Sequence, residues 1–226
     1  MEIVCESLFA VPFWKTQLTL DNDKFLDYLK QIVSSLSLNL NDKWCGPGSV
    51  EDHFSLKIKN NKPYYSTASN LVCNSRIVDS LLKEVDFVLN TIGESIGVFK
   101  NNYLKVSEFW FNYQKGQSFS DPHIHERSLL SAVYYPLAPS GCCNFMITNV
   151  SQLQTYFWSL FINEDDEKLL SQTQSSLTLT RPALTFTPQT GDLIIFPSFL
   201  EHYIEPTLDA NSPERLSIAF NSALTS

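Results

Sequence analysis

The sequence predicts a mainly β chain with flanking helices (α+β), its strands folding into a double-sheet jelly roll, cupin-like barrel or sandwich. Two observations carry this. After about residue 100, seven or eight short runs rich in β-branched and aromatic residues follow one another, divided by Pro, Gly, Asn and Asp. No helical pattern interrupts them, which points to packed sheets rather than to alternating β and α units. With 226 residues, of which 43% are apolar, the chain can bury a substantial core.

Taken in order, Leu8-Phe9-Ala10-Val11-Pro12-Phe13-Trp14 reads as an edge strand interrupted by proline, available for pairing across a homodimer. Asp21-Asn22-Asp23 offers an N-cap for a helix carrying Phe25, Leu29, Ile32, Val33 and Leu36 on one face. Residues 40–75 are polar and turn-rich, with Gly46-Pro47-Gly48 and Asn60-Asn61-Lys62-Pro63 as breakers. A longer helix follows at about 76–97, where Ile77, Leu81, Val85, Val88, Ile92 and Ile96 form one apolar stripe suited to packing on a sheet. The strands are expected at Val106–Tyr113, Leu130–Leu137, Asn144–Thr148, Leu177–Phe186, Leu193–Phe196, His202–Pro206 and Leu216–Asn221. The acidic stretch 149–176 is an insertion, a surface excursion or a lid. The expected organisation is one domain, with residues 1–100 supporting a β core over 101–226.

Charge and motif content narrow the function. A net charge of −8 with no Lys/Arg run disfavours binding to a nucleic-acid backbone. No apolar stretch approaches the ~18–20 residues that cross a bilayer, and the first residues lack the pattern of a secretion signal. The five cysteines (5, 45, 73, 142 and 143) contain no Cys-x-x-Cys and read as reduced thiols, so the expected compartment is the cytoplasm. There is no Gly-x-Ser-x-Gly elbow, no phosphate-binding loop and no His-Glu-x-x-His helix.

The histidines carry the chemistry. His53 falls in the polar loop region, whereas His123-Ile124-His125 places two imidazoles on one face of an extended segment, with Ile124 on the other. His202, from a distant strand, supplies a third nitrogen, the way a rigid barrel builds an open three-ligand metal site. Arg215 and Ser217 share a face of the last strand, and a guanidinium fork beside a hydroxyl suits a carboxylate. The bland alternative is a surface-loop histidine pair and an ordinary ion pair.

The order of these features resembles the Fe(II)/2-oxoglutarate-dependent oxygenase superfamily, and more narrowly a small family with prolyl-hydroxylase-like architecture. The resemblance rests on Leu8–Pro12, Trp110-Phe111-Asn112-Tyr113-Gln114-Lys115-Gly116, His123-Ile124-His125 and Ser131-Ala132-Val133-Tyr134-Tyr135. It continues through Gly191–Ser198 and Arg215-Leu216-Ser217-Ile218-Ala219-Phe220-Asn221. It covers the C-terminal half well and the N-terminal helices weakly. What it implies is a double-stranded β-helix core, iron ligation by His123, His125 and His202, and Arg215 with Ser217 on the distal carboxylate of 2-oxoglutarate. Asn112 and Tyr134 are the further cosubstrate contacts it implies, with a packed core aromatic the alternative for Tyr134.

Two departures stand out. Where the superfamily usually has a carboxylate, this chain has His125, and Asp121 is the alternative third ligand. The stretch Phe145-Met146-Ile147-Thr148 and the insertion after it do not follow the family pattern. The expected activity is Fe(II)-, 2-oxoglutarate- and O2-dependent hydroxylation of a small-molecule or peptidyl substrate, releasing succinate and CO2. The alternative is a cupin-like metal-binding barrel that does not use 2-oxoglutarate.

Overall fold

The computed structural model describes residues 11–35, 53–59, 62–63, 76–97, 102–114, 119–150, 183–205, 209 and 211–225. Its elements in chain order are β1 (Trp14–Gln17), α1 (Asn22–Ser35), β2 (His53–Lys59), β3 (Lys62–Pro63), α2 (Arg76–Ser95), β4 (Tyr103–Gln114) and β5 (Leu130–Leu137). They continue with β6 (Phe145–Thr148), β7 (Ala183–Phe186), β8 (Asp192–Pro197), β9 (His202–Ile204) and β10 (Arg215–Thr225). Two sheets result, ordered β1-β8-β5-β10-β4-β2-β3 and β7-β6-β9. All strand pairs are antiparallel, and the two sheets form a double-stranded β-helix.

Strand periodicity divides the core in two. Along β4, Phe109 and Phe111 face the helices, while Trp110 faces the smaller sheet. β5 alternates likewise, with Tyr134 on the helix side and Val133 and Tyr135 between the sheets. On β8, Leu193 and Ile195 join the helix-side core and Ile194 and Phe196 the inter-sheet core. These strands are buried on both faces, which is why they read as nearly continuous apolar runs.

The helix-side core is closed by α1 and α2. Asp21 caps α1, its carboxylate accepting the Lys24 amide at 3.2 Å. The buried line of α2 is Val78, Leu81, Val85, Leu89 and Ile92, with Ile77 and Val88 at its flanks. The predicted stripe is therefore rotated slightly, and Ile96 lies beyond the helix and exposed. Asn90 pairs with Leu104 through both its amide atoms, and Asp86 accepts the Val106 amide at 2.7 Å. The helix thereby satisfies β4 backbone where β2, which pairs with residues 108–114, does not reach. Leu81→Ala is expected to lower unfolding free energy by about 2–5 kcal/mol, while Phe87→Ala on the exposed face stays within about 0.5 kcal/mol. Urea unfolding of both variants checks this orientation of α2.

Two expectations changed, and others lie partly outside the described residues. The first strand covers Trp14–Gln17 and leaves residues 11–13 outside it; among the described residues it pairs with β8 alone, at the sheet edge, and Pro12 lacks the amide that would extend it. Within the turn-rich stretch, β2 and β3 form and add two strands beyond β4. The strand expected from Leu177 is described only from Ala183, and the insertion 149–176 lies outside the described residues from 151 onward. Leu8–Ala10, Cys5, Cys45, Cys73 and Trp158 also lie outside them. Cys142 and Cys143 are both buried and in no disulfide, and Cys142 belongs to the inter-sheet core.

Candidate metal and cosubstrate site

The extended segment at His123 forms an isolated antiparallel bridge with His202, the two residues exchanging backbone hydrogen bonds of 3.0 Å. The His125 amide donates to the Ser198 carbonyl at 3.0 Å, so the pair is anchored at both ends to the β8–β9 connection. One potential ligand atom from each of His123, His125 and His202 falls within 4.8 Å of the others. Ile124 points away and is exposed, as are Glu126 and Glu201.

The ring nitrogens are arranged for a cation. His123 Nδ1 donates to the Asp121 carbonyl at 2.8 Å, and His202 Nδ1 to the Leu200 carbonyl at 2.9 Å. Those bonds fix the tautomer that leaves Nε2 as an acceptor. His125 Nε2 meets His202 Nε2 at 3.1 Å. Burial, reinforced by the nearby His123, pushes the His202 pKa down to about 3, so this imidazole is neutral and available as a ligand. Asp121 contributes its carbonyl, and its exposed carboxylate stands outside the cluster. Among the described residues the donor set is thus three imidazoles, a chemistry that suits Fe(II).

The pocket opening on these histidines runs between the sheets and measures about 480 Å³ including its mouth. Asn112 and Gln114 of β4 and Ser217 and Arg215 of β10 form one polar wall, each an inward-facing position. Asn112 is the register partner of Ser217, and Gln114 of Arg215. Arg215 is 1% exposed, and its Nη1 donates to the Cys143 carbonyl at 2.8 Å. The guanidinium also lies 5.4 Å from the Tyr135 ring centroid. Among the described residues its Nε has no hydrogen-bond partner and the guanidinium forms no ion pair with a carboxylate. A fully desolvated cation without an anion is costly, and a ligand carboxylate entering the pocket removes that cost.

Five of the predicted site side chains besides Arg215 therefore line this pocket: His123, His125, His202, Asn112 and Ser217. Tyr134 does not. It sits in the helix-side core, edge-on to Phe25 at 6.3 Å, with its hydroxyl donating to Asn22 Oδ1. Strand parity decides this: Tyr135 has the inward orientation, and its hydroxyl is buried without a partner. Gln114 was missed, although Asn112-x-Gln114 on one strand face was the signal that could have found it. Trp110 also lines the pocket, 5.2 Å from the His125 ring, whereas Phe109 belongs to the helix-side core.

The pocket of this double-stranded β-helix is thus lined by three histidines and a buried arginine, a set whose chemistry suits a metal ion and an organic acid. Residues 108–221 match the family described as "Putative 2OG-Fe(II) oxygenase", and the chain belongs to that family. It is an oxidoreductase of the Fe(II)/2-oxoglutarate-dependent class, whose cosubstrate is O2. No curated protein matches the sequence. Among solved structures it resembles a prolyl-4-hydroxylase from Pseudomonas putida at 14% identity, over 93% of this chain and 92% of that one, with a TM-score of 0.54. HygX from Streptomyces hygroscopicus, solved with nickel and 2-oxoglutarate bound, matches at 12% identity over 94% and 83%, with a TM-score of 0.52. The carbocyclase SnoK of nogalamycin biosynthesis, described as non-heme and alpha ketoglutarate dependent, matches at 11% identity over 94% and 80%, with a TM-score of 0.59. At these identities the likeness is one of fold.

Proposed function

We propose that the protein hydroxylates a small-molecule or peptidyl substrate, with His123, His125 and His202 holding Fe(II) and Arg215 and Ser217 holding the far carboxylate of 2-oxoglutarate. The observation that carries this reading is one pocket lined both by a three-imidazole cluster and by a buried guanidinium that has no carboxylate partner among the described residues. Iron and 2-oxoglutarate bound there supply the oxidising power, coupling O2 reduction and oxidative decarboxylation to oxidation of a substrate C–H bond. The chain's residues do the rest. Asp121 and Leu200 orient two of the imidazoles through their carbonyls, and Arg215 fixes which end of the 2-oxo acid faces the histidines. Phe145, Phe196 and Trp110 flank the histidines and keep water from that end.

No helix among the described residues is long and apolar enough to cross a membrane. The acidic balance of the chain favours a metabolite or peptidyl group over a nucleic acid as substrate. Anaerobic addition of Fe(II) and then 2-oxoglutarate is expected to produce a visible metal-to-ligand charge-transfer band that requires both. Iron binding without the band would leave a metal-binding barrel that does not use 2-oxoglutarate.

A further inference from the structure

We infer that Gln114 grips the far carboxylate of 2-oxoglutarate together with Arg215 and sets the preference for a dicarboxylate cosubstrate. This rests on the reading of the pocket as a 2-oxoglutarate site. Gln114 is 1% exposed, lines the pocket, and stands opposite Arg215 in the β4–β10 register. Both its amide atoms, Nε2 and Oε1, are buried without a hydrogen-bond partner among the described residues. A primary amide desolvated on both atoms is expensive, and such a group in a ligand pocket marks a contact completed by the ligand. A purely structural glutamine at this depth would be paired with backbone, as Asn90 is with Leu104.

The neighbouring orphans are complementary in kind. The Arg215 Nε–H lacks an acceptor and Gln114 Oε1 lacks a donor, while Gln114 Nε2 is left to donate to a carboxylate oxygen. An incoming carboxylate thus meets one charged and one neutral donor, and the amide carbonyl is free to turn toward the guanidinium. The neutrality of Gln114 matters, because glutamate in its place would supply Arg215 with an internal anion and occupy the site.

The test measures binding of 2-oxoglutarate and of 2-oxopentanoate, which has a methyl group in place of the far carboxylate. Calorimetry uses the full chain loaded anaerobically with Mn(II). Gln114→Leu is expected to weaken 2-oxoglutarate roughly tenfold to a hundredfold while leaving 2-oxopentanoate unchanged. Gln114→Glu is expected to weaken 2-oxoglutarate by at least about a hundredfold, with the ligand-free melting temperature at or above that of the wild type. Wild-type affinity in both variants would overturn the inference and leave the pocket reading intact. Equal weakening of both acids in a folded Gln114→Leu would also overturn it, reducing Gln114 to a packing role. A wild type that does not prefer 2-oxoglutarate over 2-oxopentanoate would remove the pocket reading itself, and the inference with it.

Discussion

Arg215→Met is expected to abolish useful 2-oxoglutarate binding without unfolding the protein. The guanidinium is enclosed between the sheets, faces the Tyr135 ring, and has no carboxylate partner among the described residues. Its contact with a ligand carboxylate would form in a site shielded from water, where losing one partner of a hydrogen-bonded charge pair costs about 2–5 kcal/mol, roughly thirtyfold to several thousandfold in Kd. Protein stability should respond differently. Burying an unpaired cation is unfavourable, and an apolar side chain of similar length removes that penalty at the loss of one hydrogen bond to the Cys143 carbonyl. The melting temperature of ligand-free Arg215→Met is therefore expected at or above the wild-type value, with metal binding retained because the histidines lie outside β10. Calorimetry with 2-oxoglutarate and a thermal melt of the apo-protein check the two halves separately. A destabilised variant that still binds 2-oxoglutarate would mean that Arg215 serves the fold rather than the ligand.

The strands of the jelly roll were legible because each carries a run of β-branched and aromatic residues set off by a turn former, as Gly191 is just before β8. Gly191 adopts φ 92°, a conformation that favours glycine, and its amide donates to the Tyr135 carbonyl. Less legible was which face of a doubly buried strand looks inward. Tyr134 and Tyr135 are both 0% exposed, so hydrophobicity does not separate them, and a one-residue difference in parity moves the choice from pocket to core. β2 was missed although His53–Lys59 carries the polar–apolar alternation of a strand; what local pattern does not report is its long-range pairing with β4. The three histidines were legible because strand geometry makes an i, i+2 pair converge whatever surrounds it. Gln114 was not, because its significance lies in what it fails to contact.

His125→Asp and His125→Ala are expected to part company. The alanine variant leaves two imidazoles, and metal affinity should fall by more than the roughly 10–100-fold that loss of an outer partner costs. The aspartate variant restores the 2-His-1-carboxylate set usual in non-haem iron oxygenases, and metal binding should survive. Selectivity should also shift, since a carboxylate favours hard ions such as Mn(II), whereas three neutral imidazoles favour Ni(II) and Zn(II). Competitive titration of Mn(II) against Ni(II) in wild type and His125→Asp reads that shift directly. If His125→Ala binds metal as tightly as the wild type, His125 is not a ligand, and the Asp121 carboxylate becomes the third ligand. That would need Asp121 to turn inward from its exposed position, while the carbonyl bonded to His123 Nδ1 stays in place. The present arrangement opposes such a turn, because Asp121 already serves the site through its backbone, and His125 is held by its amide bond to Ser198 with its Nε2 facing that of His202.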